Sequence, residues 1–338
     1  MKSQPLVSIM ILGWNNYSDV INCLNSLVKI TYQNYNVVLV DNGSREVNFD
    51  KFISHLKRSK TKYIIFDGEI SQVKKPKSRD NRLFIIKSKQ NLGFTGGSNL
   101  GLSFTWKVCN PKYLLLLNGD TIVTENFLSE LVEACEKDKK IGSAQSALIR
   151  FDKKTIDSLG FKMVGYKAYD SHTGEEVSIL ADFERYQEIF GCCGASAIYR
   201  ADLISRIGLF DEDLFATYED YDLAWKIRLA GFKSVLARDS VVYHRGGVSR
   251  FRKDHVIFDM RSYYAAKNSL VIYNRYYPIS AGVVTTSLVR FMVGLISAVR
   301  NQRVKEFASI IYNFPRERKE ISKNKRLRNV QREWLRRK

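Results

Sequence analysis

The chain has few cysteines, and they follow no pattern of pairing or metal ligation. There are five in 338 residues, an odd number, and none has the spacing of a metal-binding motif. Two are adjacent, which is a poor geometry for a disulfide bond between them. No signal peptide is recognisable, because residues 1–5 run directly into an apolar segment. These absences predict a protein of the reducing cytoplasm.

Acidic residues are scarce at the C-terminal end. Residues 245–338 contain 22 Lys and Arg against 6 Asp and Glu, whereas residues 1–244 contain 32 against 29. Most of the net charge of +19 therefore lies in the C-terminal part. With 45% hydrophobic residues, the chain can bury a large core. We predict a near-neutral globular domain and a basic appendage with an anionic partner, either lipid headgroups or nucleic acid.

Apolar runs of strand length alternate with helical segments along the first part of the chain. The predicted strands are residues 6–12, 37–40, 63–66, 83–86 and 113–117. A helix capped by Asn15 or Asn16 follows the first strand, and a lysine-rich surface loop joins the third to the fourth. This alternation is typical of a doubly wound α/β sheet, which binds ligands at the carboxyl ends of its strands.

The turn after the first predicted strand lacks the glycines of a dinucleotide-binding fold. Its sequence is Gly13-Trp14-Asn15-Asn16, without G-x-G-x-x-G and without the glycine-rich basic loop of a nucleotidyltransferase. Both enzyme classes are therefore disfavoured. Trp14 has a side chain that either stacks on a nucleobase or packs locally.

Two further strand ends carry segments suited to a nucleotide. Asp41-Asn42-Gly43-Ser44 has the composition of a turn, yet Asp41 can also accept the imide N–H of uracil or thymine, which we favour. The segment 91–99 has three glycines at the start of a helix, where backbone amides attract phosphate. A capped glycine-rich loop is the alternative for this second segment.

Asn118-Gly119-Asp120 and His244 are candidates for a metal site. Asp120 ends a buried strand, and its carboxylate suits Mg²⁺ or Mn²⁺, although capping of the next helix explains it equally well. His244 follows a strand-like segment and precedes Arg245-Gly246-Gly247, so it can contact a metal or a diphosphate, although a lone histidine more often has a structural role.

Three carboxylates open an amphipathic helix at Glu219, Asp220 and Asp222. The helix dipole favours acids there, but three exceed what capping requires. Their mutual repulsion is expected to raise the pKa of at least one carboxyl, which suits a general base.

Six motifs, in order along the chain, resemble those of the family-2 inverting glycosyltransferases of GT-A fold, in particular the rhamnosyltransferase-like branch. They are Val7-Ser8-Ile9-x-Ile11, Asp41-Asn42-Gly43-Ser44, Asn91-x-Gly93-Phe94-x-x-Gly97-x-Asn99, Asn118-Gly119-Asp120, Gly208-x-Phe210-Asp211-Glu212 and Glu219-Asp220-x-Asp222. The resemblance covers about residues 5–275 and includes Tyr263-Tyr264-x-x-Lys267-Asn268. It implies a doubly wound, Rossmann-like mixed sheet of GT-A type in residues 1–245. A basic α-helical appendage follows in residues 246–338.

The resemblance also implies roles for individual residues. Asp220, with Glu219 beside it, is the base that deprotonates the acceptor, while Asp120 and His244 hold Mg²⁺ or Mn²⁺. Asn118 replaces the first acid of the family's D-x-D, so Asp120 carries most of the metal affinity. The predicted nucleotide-sugar contacts are Trp14, Asn15, Asp41, Asn42, Asn91, Gly93, Gly97, Asn99 and Asn118. The predicted acceptor-side residues are Cys192, Cys193, Gly194 and Asp222.

The implied reaction is a single displacement that inverts the anomeric carbon. The branch points to dTDP-L-rhamnose as donor, with a UDP-sugar as the alternative. The implied acceptor is a hydroxyl of a lipid-linked or growing cell-surface glycan.

The segment 276–299 contains one charged residue, Arg290. On a helix, Val284, Leu288, Phe291, Met292, Leu295 and Val299 share one face, and Ser287, Arg290, Gly294 and Ala298 share another. We interpret the segment as an amphipathic helix lying on the anionic inner face of the cell membrane, so that the protein is cytoplasmic and peripherally attached.

A pair of helices forming a homodimer is one alternative. A basic nucleic-acid-binding protein is another, of a different class, whereas the enzyme interpretation involves no nucleic acid.

Overall fold

The computed structural model describes residues 4–67, 83–164, 167–246 and 260–334. Most of the lysine-rich stretch predicted as a surface loop, together with Gly247, lies outside the described residues.

Thirteen strands are formed by the described residues. They are β1 Val7–Gly13, β2 Tyr35–Asp41, β3 Tyr63–Asp67, β4 Leu83–Lys87, β5 Tyr113–Asn118, β6 Thr121–Val123, β7 Ile141–Arg150, β8 Ile156–Ser158, β9 Phe161–Val164, β10 Lys167–Asp170, β11 Tyr186–Ile189, β12 Ser196–Arg200 and β13 Lys233–His244. The five strands predicted up to residue 117 all form, each within one or two residues of its predicted bounds.

The same residues form ten α-helices and two short 3₁₀ turns. The helices are α1 Tyr17–Leu27, α2 Glu46–Arg58, α3 Gly93–Val108, α4 Phe127–Lys137, α5 Ala201–Ile207, α6 Glu219–Leu229, α7 Met260–Tyr276, α8 Ala281–Arg300, α9 Val304–Ser322 and α10 Leu327–Trp334. The 3₁₀ turns are Val177–Asp182 and Glu212–Leu214. Asn16 precedes α1, but its side chain accepts from the Trp14 amide and does not cap the helix, contrary to one prediction.

The main sheet is mixed, with strand order β11-β13-β7-β12-β5-β1-β2-β4-β3. The five neighbouring strands β5, β1, β2, β4 and β3 are parallel to one another. Strand β12 runs antiparallel to both β5 and β7. In register, Gly13 pairs with Asp41 and Leu12 with Asn118. The carboxyl ends of β1, β2 and β5 therefore meet at one edge, as predicted for a doubly wound sheet.

Apolar side chains fill a core on each face of this sheet. Along β1, Ile9 and Ile11 enter one cluster and Met10 enters the other. Because successive side chains of a strand point to opposite faces, a continuously apolar strand must be covered on both sides.

Helices α7 to α10 pack against the sheet domain through aromatic side chains. Trp225 of α6 stacks on Tyr276 of α7, with ring centroids 5.0 Å apart. Trp334 of α10 meets Phe190 edge to face. The appendage is thus helical, as expected, while the division at residue 245 stays a prediction.

Candidate active site

The two predicted catalytic carboxylates open α6 after a strained turn. Phe215, Thr217 and Tyr218 all have positive φ angles, of 59°, 72° and 66°. Such angles are uncommon outside glycine and persist only when the surrounding structure imposes them. The turn delivers Glu219 and Asp220 into the first turn of the helix.

Contacts from two distant segments impose this turn. Asn268 of α7 donates from Nδ2 to the carbonyls of Leu214, Ala216 and Thr217, at 2.8–2.9 Å. The Thr95 amide of α3 donates to the Phe215 carbonyl at 3.1 Å. A Cβ on Gly93 would lie 2.4 Å from that carbonyl oxygen, so only glycine allows α3 to approach it.

Burial is the main influence on the pKa values of Glu219 and Asp220. Glu219 is buried, and Asp220 is a half-buried residue whose carboxyl group is enclosed. Burial raises the pKa of both carboxyls, with the Asp220 charge adding to the effect on Glu219. The predicted increase is therefore present, but desolvation contributes more to it than the expected mutual repulsion.

One backbone hydrogen bond orients Asp220. The Gly194 amide donates to Asp220 Oδ2 at 2.9 Å, which moderates the increase in pKa. Asp220 Oδ1 has no hydrogen-bond partner among the described residues. A Cβ on Gly194 would lie 2.8 Å from this Oδ1, so the close approach requires glycine. Gln145, which no sequence motif indicated, accepts a hydrogen bond at Oε1 from the Cys193 amide and so holds the loop.

A second charged group lies at the end of β5. His244 Nε2 is 3.3 Å from Asp120 Oδ1, and His244 Nδ1 is 2.8 Å from Asp157 Oδ2. Burial alone would raise the pKa of Asp120, but the hydrogen bond and positive charge of His244 outweigh it and lower this pKa. Burial likewise opposes charge on His244, yet the two carboxylates raise its pKa to about 9. An imidazolium flanked by two carboxylates results.

Asp157 was missed because it lies in the short strand β8, within a segment that has no clear periodicity. Its buried carboxylate next to His244 is apparent only in three dimensions. The sequence offered no signal beyond an isolated acid.

The carboxylates at the start of α6 and the Asp120–His244–Asp157 group line one cavity of about 540 Å³. Of the predicted residues, Asn118, Asp120, Cys193, Gly194, Glu219, Asp220 and His244 are brought together there. Asp157, Asp170, Phe161, Tyr218 and Tyr221 line it as well. The cavity therefore has carboxylates at two positions, with the aromatic rings of Tyr218 and Tyr221 next to Glu219 and Asp220 in the chain.

The predicted nucleobase contacts lie at the carboxyl ends of β1 and β2. Asp41 accepts the Ser44 amide at Oδ1, and its buried Oδ2 has no hydrogen-bond partner among the described residues. Trp14 is 55% exposed and free to stack on a ring. Asn15 has φ 57°, and its Oδ1 accepts from the Arg45 amide and the Asn48 side chain.

Asn42 and its neighbours form an internal brace. The Asn42 side chain donates to Asn91 Oδ1 and to the Gly93 carbonyl, and it accepts from the Leu92 amide. Gly97 packs against the side chains of Leu12 and Asn42. These contacts connect β2 to the start of α3.

Three predictions of ligand contact, at Asn99, Asp222 and Cys192, are corrected by the structure. Asn99 donates to the Phe210 carbonyl and to Glu212 Oε1, and accepts from the Phe210 amide, so its hydrogen-bonding groups have internal partners. Asp222 is fully buried between Arg275, Lys226 and Tyr276. Because its side chain is enclosed there, Asp222 does not line the cavity, contrary to its predicted place on the acceptor side. Cys192 is likewise buried behind the cavity, against Ser143.

Comparison with known proteins accords with this geometry. Residues 8–208 match the sequence profile of the family described as "Glycosyl transferase family 2". The chain belongs to glycosyl transferase family 2. The family predicted from the six motifs is therefore confirmed, whereas the rhamnosyltransferase-like branch stays a prediction.

Two bacterial proteins are similar to this family 2 chain over part of its length. An uncharacterized glycosyltransferase of Haemophilus influenzae is 27% identical over 148 residues, which are 44% of this chain and 38% of that protein. A poly-beta-1,6-N-acetyl-D-glucosamine synthase of Staphylococcus aureus is 20% identical over 231 residues, 67% of this chain and 47% of that protein. The chain thus spans less than half the length of either relative.

Solved structures show the fold of this family 2 chain. GalNAc-T7 with UDP, GalNAc and Mn²⁺ matches with a TM-score of 0.59 and 15% identity, covering 93% of this chain and 58% of that one. A mannosyltransferase of Pyrobaculum calidifontis with GDP-Man and Mn²⁺ matches with a TM-score of 0.54 and 12% identity, covering 99% and 89%. The GT-A fold with a helical C-terminal region is confirmed.

The predicted metal site can be tested against the side chains present. Within residues 4–67, 83–164, 167–246 and 260–334, no group of three or more His, Cys, Asp or Glu is arranged to hold a metal ion. Mg²⁺, however, commonly binds through one or two carboxylates and substrate phosphates. Asp120 supplies such a carboxylate, and Asp157 orients the His244 ring beside it. The Asp120 carboxylate therefore fits a divalent ion that is shared with a diphosphate, whereas the His244 imidazolium, whose two nitrogens both carry protons, has no lone pair for a metal.

Proposed function

We propose that this family 2 chain transfers a sugar from a nucleoside diphosphate donor to a glycan hydroxyl, with inversion. One observation carries the proposal. The enclosed Asp220 carboxyl, with its raised pKa, lines the same cavity as the Asp120–His244–Asp157 group. A base and an anion-stabilising group on one cavity are what a displacement at an anomeric carbon requires.

In the proposed reaction, Asp220 takes the proton of the acceptor hydroxyl. The acceptor oxygen forms a bond to the anomeric carbon as the bond to the diphosphate breaks, and the nucleoside diphosphate departs. The Gly194 amide keeps Asp220 in place, and the His244 cation lies where negative charge develops on the leaving group. A divalent ion on Asp120 would neutralise part of that charge.

We further propose dTDP-L-rhamnose as donor, with a UDP-sugar as the alternative. The buried Asp41 Oδ2 without a partner supports recognition of an imide N–H, which uracil and thymine share. Trp14, at the same sheet edge, supports stacking on the base.

Peripheral attachment to the inner face of the membrane is also proposed. Small residues of α8, including Gly294, Ser297 and Ala298, pack inward, while Val284, Leu288, Val289, Met292, Ile296 and Val299 are 44–62% exposed. Gly282–Arg300 is the only helix in the described part of the chain that is long and apolar enough to cross a membrane. Arg290 on its inner face favours a surface position over a span.

A thermal-shift screen tests the donor site. The nucleotides dTDP, UDP, GDP and NAD, each with and without Mn²⁺, are added to the full chain and to Asp120→Ala. A bound ligand raises the melting temperature by mass action. Stabilisation by dTDP or UDP that Mn²⁺ enhances only in the unmodified chain supports the proposal. Stabilisation by NAD alone, or by none of the four, contradicts it.

A further inference from the structure

The catalytic cavity contains an acidic side chain that the proposed reaction does not use. Asp170, at the end of β10, lines the cavity together with Asp220. It is half-buried, and no lysine or arginine lines this cavity in the part of the chain that the structure describes. A carboxylate in such a place accepts hydrogen bonds from hydroxyl groups and repels another anion.

Buried hydrogen bonds connect Asp170 to the loop that holds Asp220. Ser158 donates from Oγ to Asp170 Oδ1 at 3.0 Å, and Gln145 donates from Nε2 to Ser158 Oγ at 3.4 Å. Oε1 of Gln145 accepts from the Cys193 amide of that loop at 2.6 Å. The side chains of Gln145 and Ser158 are buried, so one enclosed polar network supports both carboxylates of the cavity wall.

Aromatic rings adjoin this carboxylate. Phe161, which pairs with Asp170 between β9 and β10, stacks on Tyr221 with ring centroids 4.0 Å apart. The Tyr221 centroid is in turn 5.6 Å from that of Tyr218, and all three residues line the cavity. Phe161 is buried and supports the half-buried Tyr221 ring. A supported aromatic ring beside a carboxylate suits a sugar, which has a C–H face as well as hydroxyl groups.

Two oxygens in the same cavity lack hydrogen-bond partners. Glu219 is 8% exposed, and its Oε2 has no partner among the described residues. The same is true of Asp220 Oδ1. A buried polar atom without a partner is unfavourable, so hydrogen bonds with hydroxyl groups of a ligand would stabilise both side chains. These atoms therefore point to a ligand that carries several hydroxyls.

We propose that Asp170 and Tyr221 form the subsite for the acceptor sugar and select an uncharged one. Asp170 accepts hydrogen bonds from hydroxyls other than the reacting one, and the Tyr221 ring lies against the C–H face of the sugar. The reacting hydroxyl then meets Asp220. An acidic sugar is disfavoured, because its carboxylate would lie beside Asp170 and not beside a cation. This inference rests on the proposed function and defines which acceptors the site takes.

Saturation-transfer difference NMR titrations of the full chain test this selection without turnover. The probes are the methyl β-glycosides of glucose and galactose and their uronic acid counterparts, methyl β-glucuronide and methyl β-galacturonide. Each sample contains Mg²⁺ and either dTDP or UDP, chosen by the thermal-shift screen, so that a nucleotide occupies the diphosphate side. We expect the neutral sugars to bind at least about tenfold more tightly than their acidic counterparts.

Two substitutions assign the selection to the proposed side chains. Asp170→Asn removes the charge and nearly keeps the shape, so we expect the preference for neutral sugars to fall to about threefold or less. Tyr221→Leu is expected to weaken binding of all four sugars by about threefold to tenfold and to leave the preference unchanged. Asp182→Asn, at an exposed carboxylate, is the matched control and should change neither quantity. Melting temperatures verify that the variants fold.

Three results would overturn this subsite. They are equal binding of neutral and acidic sugars by the unmodified chain, a preference that Asp170→Asn leaves unchanged, and binding of no probe although the nucleotide raises the melting temperature. The first comparison needs no variant, so it decides the charge selection even if a substitution prevents folding. Failure of the glycosyltransferase proposal is distinct, because it would appear as no stabilisation by dTDP or UDP.

Discussion

Asp220 is positioned by one backbone hydrogen bond and by the close approach of Gly194. The same carboxyl has an oxygen without a partner in an enclosed site, so its charged form is poorly solvated. Such a carboxylate gains stabilisation when it takes a proton, which is what the proposed reaction asks of it.

Replacing Asp220 by Asn is expected to abolish transfer, with a loss of at least about a hundredfold, because general-base catalysis contributes roughly 10²–10⁴-fold. The amide is nearly isosteric, so nucleotide binding by thermal shift is expected to persist. Asp182→Asn, at an exposed carboxylate, serves as the control. Substantial turnover by Asp220→Asn would show that another group is the base.

Gly194→Ala tests how Asp220, the proposed base, is positioned. Its Cβ would lie 2.8 Å from Asp220 Oδ1, so either the loop or the carboxyl must move. We expect kcat to fall by about tenfold or more, since small displacements of a catalytic group have large effects. Nucleotide binding and the circular dichroism spectrum should be retained. Unchanged kcat would mean that the loop adjusts without disturbing Asp220.

At the scale of single residues, the sequence identified groups that touch the cavity and missed their supports. Asp120, His244, Glu219 and Asp220 stand out by type and setting along the chain. Asp157 comes from a region without periodicity, and its role depends on a contact with a residue 87 positions away. Local patterns do not contain such contacts.

At the scale of elements, α8 has an inner face of small residues and an outer face of apolar residues. Gly294 allows this packing, because a Cβ there would lie 2.7 Å from the Phe307 ring. The predicted division of the helix is largely observed, but Phe291 and Leu295 of the predicted apolar face pack inward against neighbouring helices. The helical spacing of apolar and small residues predicted the two faces, and tertiary packing decided their limits.

The double substitution Leu288→Glu and Met292→Glu is expected to reduce binding to anionic vesicles at least about tenfold. Each apolar side chain is worth roughly 1.5–3 kcal/mol when buried, and the new charges repel anionic lipid. Co-sedimentation measures the effect. Val47→Glu, at a position 57% exposed on α2, is the matched control. Equal sedimentation of all three proteins would refute attachment through α8.

Arg275 connects three elements at the base of the appendage. It lies 2.6 Å from Asp211, 3.1 Å from Asp222 and 3.1 Å from Glu317 of α9. The Arg275 side chain is 11% exposed, so water screens these charges poorly. The network joins the start of α6 to α7 and α9.

Arg275→Gln is expected to lower the free energy of unfolding by up to about 3–5 kcal/mol, because the partly buried Asp211 and Glu317 lose their cation and the buried Asp222 keeps only Lys226. Urea denaturation provides the measurement. Arg316→Gln removes a pair with Glu320 in which both side chains are largely exposed, and it should change stability by less than about 1 kcal/mol. Similar effects of the two substitutions would show that the network is not important for stability.

At the scale of the whole molecule, stability should depend on pH through Asp220. Its pKa is raised in the folded state, so in the range above the usual carboxyl pKa the folded chain binds more protons than the unfolded chain. This contribution to stability is fully present at low pH and is lost as pH rises through the folded pKa. Asp220→Asn carries no such charge.

The variant Asp220→Asn should therefore melt at a higher temperature than the unmodified chain at pH 8, and this difference should shrink towards about pH 4. Melting curves across this range test the expectation, with Asp182→Asn as the reference for an exposed carboxyl. A constant difference at all pH values would mean that the Asp220 carboxyl is not destabilised in its charged form.

The sequence by itself determined the strand–helix alternation, the common edge of the strands and the identity of the main carboxylates. It did so because periodicity and residue type reflect burial and chemistry that each segment experiences locally. Tertiary structure alone decided that Asn99 and Asp222 act as internal supports, that Asp157 joins His244, and that α7 braces the turn before Asp220. These roles depend on which polar groups meet when distant segments are buried together, and a buried polar group must find its partner wherever the fold provides one.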